Sequence, residues 1–137
     1  APTLILTAWS AIRKLVEKNK IKFLFGCSCF IGTSIDRYLD CFKFLKTKYI
    51  APKKYNLYVK APKVFKFNNL INLNNFCLKK AKKNLPPLLS FYLNLGGWVS
   101  DHVVIDNDLE TMHVFTGLEV KEIPEKRLKF LNKINLN

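Results

Sequence analysis

The chain has 137 residues, of which 49% are hydrophobic, so it can form the core of one ordinary domain. Its 23 Lys and Arg residues against 10 Asp and Glu residues give a formal net charge of +13, which favours acidic partners such as nucleic acid, anionic lipid or an acidic carrier protein. Four cysteines without paired C-x-x-C spacing and only two histidines argue against structural zinc, and no apolar run approaches the roughly 18 residues needed to cross a bilayer.

The first half of the chain predicts two helices and two strands. Near-helical apolar spacing predicts an amphipathic helix over residues 3–18, and a nearly continuous apolar run predicts a central strand over residues 23–30, covered on both faces. A loop with a helix N-cap then precedes a helix over residues 35–46, and a short strand is predicted over residues 55–59. The apolar positions in the first helix are Leu4, Ala8, Ala11, Ile12, Leu15 and Val16.

The second half predicts a basic, Asn-rich insertion or long loop with a helical turn over residues 61–84, and then a helix that begins at Pro86 or Pro87 and ends at Gly96. Residues 98–104 and 111–120 predict an antiparallel strand pair joined by an acidic segment, and a basic helix is expected within residues 124–137. This order of helices and strands predicts a layered α/β or α+β domain.

Three blocks of sequence carry a resemblance to a known family. They are residues 25–30 after a helix that contains Trp9, residues 85–89, and residues 92–101 together with 104–106. In the same order, they resemble the distal part of GNAT-superfamily N-acyltransferases of the ornithine-lipid-forming, hemolysin-like kind. The resemblance extends over residues 3–120.

The resemblance implies an activity and a partial fold. It implies transfer of a 3-hydroxyacyl group from the phosphopantetheine thioester of acyl carrier protein to the amine of ornithine or a similar acceptor, with no tightly bound cofactor and no metal. It also implies a single partial GNAT-like domain over residues 1–137, a mixed sheet flanked by helices, with the N-terminal strands and the phosphate-binding loop missing. We therefore expect a second chain to complete the sheet, and we expect the isolated chain to be inactive and to associate.

The resemblance places Gly26, Cys27 and Ser28 beside the donor thioester. The alternative for Cys27 and Cys29 is that they are small buried hydrophobic residues on one face of a strand, since unpaired cysteine is usually buried and inert. A covalent cysteine intermediate is not expected. Cys29 stands where the family usually has serine.

Acidic residues cluster between the last two strands of this basic chain. A cationic acceptor needs carboxylates, and Asp101 or His102 can take up the proton of the attacking amine, while Asp106 matches a family position for binding the substrate. The alternative is that the segment from Asp106 onward is turn chemistry in a hairpin. His102 stands where the family has a small uncharged residue, and His113 lies near the position of a family aspartate.

Aromatic and basic residues each allow two interpretations. Trp98 and Tyr92 can line an acyl channel or belong to the core. The lysines of residues 43–83, interleaved with aromatic residues, can bind RNA or an acidic carrier protein, or form a solvated surface. The alternative function is therefore a degenerate, non-catalytic GNAT-like subunit of a large assembly such as an organellar ribosome. The expected location is the cytoplasm or an organellar matrix, with possible peripheral contact to a membrane.

Overall fold

The computed structural model describes residues 2–134, which form five α-helices and five β-strands. The helices are α1 (Pro2–Asn19), α2 (Leu39–Lys48), α3 (Leu78–Asn84), α4 (Pro87–Asn94) and α5 (Glu125–Ile134). The strands are β1 (Phe23–Ile31), β2 (Val64–Lys66), β3 (Trp98–Val99), β4 (His102–Asp106) and β5 (Thr111–Glu119). This is the α+β class that the sequence predicts.

The strands form one sheet in the order β1-β5-β4-β2, with β3 paired to β5 beside β4. Every strand pair in the described residues is antiparallel, and the parallel contact is an isolated bridge between Ile50 and Val99. The sheet is therefore antiparallel rather than mixed. The first helix, α4 and the last helix match their predicted positions within two residues.

The strand at residues 23–30 is confirmed, but its predicted central position is wrong within residues 2–134. There β1 pairs with β5 and with no other strand, so it forms an edge of the sheet. Its side chains alternate between the helix-covered face and an open face, where Phe25 is 67% exposed and Ile31 is 74% exposed. The run is apolar on both faces, but on the open face the described residues cover Phe23 and leave Phe25 and Ile31 largely exposed.

The core lies between the sheet and helices packed on one face. Its main cluster joins the inner face of the sheet to α2, α3 and α4, and a second cluster forms around Trp9 of α1. The buried stripe of α1 differs from the predicted one: Ile5, Trp9, Ile12 and Val16 pack inward, whereas Leu4 is 70% exposed. The helix carries two apolar stripes at heptad-like spacing, and the stripe with the tryptophan is the buried one.

Residues 50–84 depart most from the prediction. The strand expected over residues 55–59 is absent from the described structure, because Lys53–Tyr55 forms a 3₁₀ turn and Asn56 has a φ of 48°, which breaks an extended ladder. The predicted long loop instead contains β2, which pairs with β4, and α3, which packs on α2. The helical turn expected there is α3.

A bulge separates β3 from β4. Six residues from Val99 to Val104 face four residues from Thr116 to His113 across the ladder. The Ser100 hydroxyl donates to the His102 carbonyl at 2.8 Å and accepts the Phe115 N–H at 3.1 Å, so a side chain replaces the missing backbone partner. The bulge sets where Asp101 and His102 point.

None of the helices in the described range is long and apolar enough to cross a lipid bilayer.

Candidate functional site

A groove of about 350 Å³ lies between α1, α4 and the free edge of β1. Its walls include Trp9 and Ile12 from α1, Leu88 and Tyr92 from α4, and the β1 residues 24–28. A Cβ atom built on Gly26 meets nothing within 4 Å. The absence of a side chain at this strand position therefore keeps the groove open.

Two aromatic side chains of the groove wall carry polar atoms. The indole N–H of Trp9 is buried and has no hydrogen-bond partner in residues 2–134, and the ring packs against Tyr92 with centroids 5.2 Å apart. A buried donor without a partner costs about 1–3 kcal/mol. Burial raises the pKa of Tyr92 to about 12, so its hydroxyl remains a proton donor at neutral pH.

The three residues predicted to bind the donor all lie on the wall of this groove. Gly26 and Ser28 belong to the helix-covered face of β1, and the side chain of Cys27 between them is exposed on the open face. Their role in binding remains a prediction, but the structure brings them together in one cavity. The interpretation of Cys27 and Cys29 as buried hydrophobic residues is wrong, because both are exposed.

The predicted catalytic pair, Asp101 and His102, forms a direct contact. The Nδ1 atom of His102 lies 2.9 Å from Oδ1 of Asp101, with the imidazole 9% exposed and the carboxylate 49% exposed. A carboxylate at this distance fixes the orientation of the ring. Asp101 lies in the bulge and His102 is the first residue of β4, so the two side chains meet where the bulge joins the strand.

Asp101 also belongs to a second cavity, of about 400 Å³, on the side of the loop that follows α2. Lys46 and Lys53 are among its other walls, so the cavity presents both signs of charge. This cavity and the groove share no lining residue. The structure therefore separates the predicted catalytic pair from the predicted donor residues.

Trp98, predicted to bind substrate, is buried in an aromatic cluster. Its ring lies 4.7 Å from that of Tyr55 and 5.8 Å from that of Phe23, measured between centroids. It also covers Gly117, where a Cβ atom would come within 2.2 Å of the indole. Trp98 does not line the groove, and its contacts are those of a core residue.

Asp106, the other residue predicted to bind substrate, takes part in two arrangements. Its Oδ1 accepts the Leu109 N–H at 3.0 Å, as expected for the turn between β4 and β5. Its Oδ2 lies 3.8 Å from Nε2 of His113. On the other side of that ring, Nδ1 lies 3.0 Å from Sγ of Cys29.

Sequence analysis did not associate Cys29 with His113. The pair depends on the β1–β5 register, which sets Cys29 opposite His113. Burial, followed by the charge of Cys27, raises the pKa of the Cys29 thiol, so this sulfur carries a proton at neutral pH. No group of three or more His, Cys, Asp or Glu residues within the described ranges has the arrangement of a metal site.

Comparisons with known proteins point to one class. The chain is 26% identical over 129 residues to an L-ornithine N(alpha)-acyltransferase of Rhodobacter capsulatus, and 26% and 25% identical over 122 residues to proteins of the same name from Rhizobium meliloti and Brucella abortus. These matches cover 94%, 89% and 89% of this chain but only 49%, 41% and 43% of the relatives. The chain is thus similar to part of an ornithine acyltransferase. No protein-family model and no solved structure matches it.

Proposed function

We propose that this chain contributes the acyl-donor groove of an N-acyltransferase that acts on ornithine or a similar amine. The observation that carries the proposal is the open space over Gly26, which can admit a thin, flexible chain between β1 and the two helices. The three similar proteins are named for acyl transfer to ornithine, and their similarity includes this strand. A phosphopantetheine arm has the required width and carries amide carbonyls.

The walls of the groove suit a thioester donor. The unpartnered Trp9 N–H can donate to an amide carbonyl of the pantetheine arm, and the Tyr92 hydroxyl keeps the proton that a departing thiolate needs. The apolar side chains of Ile12 and Leu88 can pack against the methylenes of the arm. In this proposal Gly26, Cys27 and Ser28 bind the donor.

The cavity beside Asp101 has the charges of an amino-acid site. A zwitterionic acceptor presents a carboxylate, which Lys46 or Lys53 can bind, and an ammonium group, which Asp101 can bind. Attack on the thioester requires the amine to lose a proton, and in this proposal the Asp101–His102 pair takes it from the acceptor before the amine reaches the donor groove. In this proposal the acceptor approaches from the loop side of the sheet.

An acidic acyl carrier protein is the proposed donor partner. A further cavity, of about 530 Å³, is lined by Lys82 and Lys83 together with apolar residues of α1 and α4, the two helices that form the donor groove. Positive charge close to the groove can orient an acidic carrier with its thioester toward β1. RNA binding at the same lysines is the competing outcome, and it corresponds to the non-catalytic function.

We also propose that a further strand pairs with β1, from a second chain or from the same protein. The support is the unpaired edge of β1 within the described residues and its exposed apolar side chains Phe25 and Ile31.

Tryptophan fluorescence tests the groove. The chain has two tryptophans, so Trp98→Phe leaves Trp9 as the single reporter in the groove wall. Addition of an S-acyl pantetheine should change the Trp9 emission saturably, and N-acylornithine, measured in the same samples by mass spectrometry, reports transfer. A chain that neither binds the thioester nor forms product overturns the proposal.

A further inference from the structure

The open face of β1 carries a thiol in contact with a base. The Sγ atom of Cys29 lies 3.0 Å from Nδ1 of His113, and its side chain is exposed. Nε2 of the same ring lies 2.9 Å from the Thr111 hydroxyl and 3.8 Å from the Asp106 carboxylate. A nucleophile, a base and groups that orient the base therefore lie next to one another across the three neighbouring strands β1, β5 and β4.

The hydrogen bonds define what each group can do. In the tautomer with its proton on Nε2, His113 donates to Thr111, and its free Nδ1 accepts the thiol proton of Cys29. Removal of that proton leaves an imidazolium, whose charge the nearby Asp106 carboxylate stabilises. The thiol is thus protonated at rest and can be activated during attack.

The surroundings of the thiol indicate the class of electrophile. On the open face of β1, Cys29 lies between Cys27 and Ile31, and beyond Cys27 the ring of Phe25 stacks on Phe115 with centroids 5.9 Å apart. Phe25 and Ile31 are both largely exposed. This apolar strip suits an acyl chain better than a charged or strongly polar molecule.

We propose that Cys29, with His113 as its base, accepts a fatty acyl group from an acyl thioester. This inference rests on the proposed function only for the class of electrophile, an acyl thioester, because Cys29 lies on the open face of β1 and not on the wall of the donor groove. Sγ attacks the thioester carbonyl carbon while its proton passes to Nδ1 of His113. The tetrahedral adduct then breaks the bond to the donor sulfur, which takes the proton back from His113. The products are S-acyl Cys29 and a free donor thiol, with no net oxidation or reduction.

The exposed thiols of the chain supply internal controls. Cys77 is exposed and shows no hydrogen bond from its sulfur among the described contacts, whereas Cys41 is buried and reports unfolding when it reacts. The chain is incubated with the octanoyl thioester of N-acetylcysteamine, a donor without a pantetheine arm. Peptide mass spectrometry then gives the acylation rate of each cysteine in one sample.

We expect Cys29 to be acylated at least about 10-fold faster than Cys77, since a positioned base contributes about 10²–10⁴-fold. His113→Gln should reduce the Cys29 rate to the Cys77 rate, and neutral hydroxylamine should release the acyl group, as it does from a thioester. Cys77→Ser should leave the Cys29 rate unchanged. Equal rates at Cys29 and Cys77, or a Cys29 rate that does not depend on His113 while Cys41 stays unreactive, overturns the inference.

A parallel sample with ornithine and an S-acyl pantetheine separates the two proposals. Acylation of Cys29 in a chain whose Trp9 emission does not respond to the S-acyl pantetheine contradicts the proposed function and supports this inference. N-acylornithine formed while Cys29 reacts no faster than Cys77 supports the proposed function and overturns this inference.

Discussion

Adding a side chain at Gly26 should block the donor groove without disturbing the fold. The space over Gly26 is free to 4 Å, so a Val side chain enters the groove rather than a packed core. A valine in a strand is better than glycine by about 0.5–1 kcal/mol, because glycine loses more backbone freedom on folding. We therefore expect Gly26→Val to raise the melting temperature by roughly 2–4 °C.

The same substitution should weaken donor binding. Valine places about three carbon atoms where donor carbons would otherwise be buried, and each buried methylene contributes about 0.8 kcal/mol. The loss is about 2 kcal/mol, or roughly 30-fold in Kd. Gly26→Ala adds one methyl group and provides a graded control. Its Kd for the donor should lie between that of the wild type and that of Gly26→Val.

Isothermal titration calorimetry with an S-acyl pantetheine measures the affinity, and urea denaturation measures the free energy of unfolding. Along the series Gly, Ala, Val at position 26, the free energy of unfolding should rise while the affinity for the donor falls. Unchanged affinity in a stable Gly26→Val variant shows that the donor does not use this groove. A strongly destabilised variant shows that the space over Gly26 is not free.

Three other substitutions have defined outcomes. Trp9→Phe removes an N–H group that lacks a partner, so the free energy of unfolding should change by less than about 1 kcal/mol. The Kd for the S-acyl pantetheine should rise roughly 2- to 12-fold, and an unchanged Kd in calorimetry excludes the indole contact. Ser100→Ala leaves the Phe115 N–H without its acceptor and should lower the urea-derived stability by about 1–2 kcal/mol; no loss means that the bulge does not depend on this bond. Reversing the charge of Lys82 and Lys83 to Glu should weaken carrier-protein binding at low salt, with the difference from wild type shrinking toward about 0.5 M salt, whereas equal binding at low salt contradicts the docking surface.

Local patterns were sufficient for most of the elements but not for how they pack. The α1 and α4 helices and the β1 and β5 strands follow from periodicity, capping and glycine positions, which act over a few residues. The buried stripe of α1 could not be chosen from the sequence, since both of its apolar stripes have helical spacing. The strand over Val64–Lys66 is only three residues long and depends on its pairing with β4, a tertiary contact.

In the candidate site, too, the residues grouped before the structure lie close together in the chain, whereas the contacts that were missed join different strands. The family resemblance grouped Gly26, Cys27 and Ser28, which are adjacent in the chain, and the structure puts them on the wall of one groove. The contact between Cys29 and His113 spans 84 positions, so it depends on the strand register, which alternation alone does not give. The two extra residues at Ser100 and Asp101 likewise have no local sequence signature.

A structure of the chain with an acyl-pantetheine ketone, in which a methylene replaces the thioester sulfur, tests the central claim most directly. We expect the pantetheine arm to lie between α1 and β1 along residues 26–28, with an amide oxygen within hydrogen-bonding distance of the Trp9 N–H. An analogue found in the cavity beside Asp101, or anywhere else away from Gly26, contradicts the assignment of this chain as the donor-binding part of an N-acyltransferase.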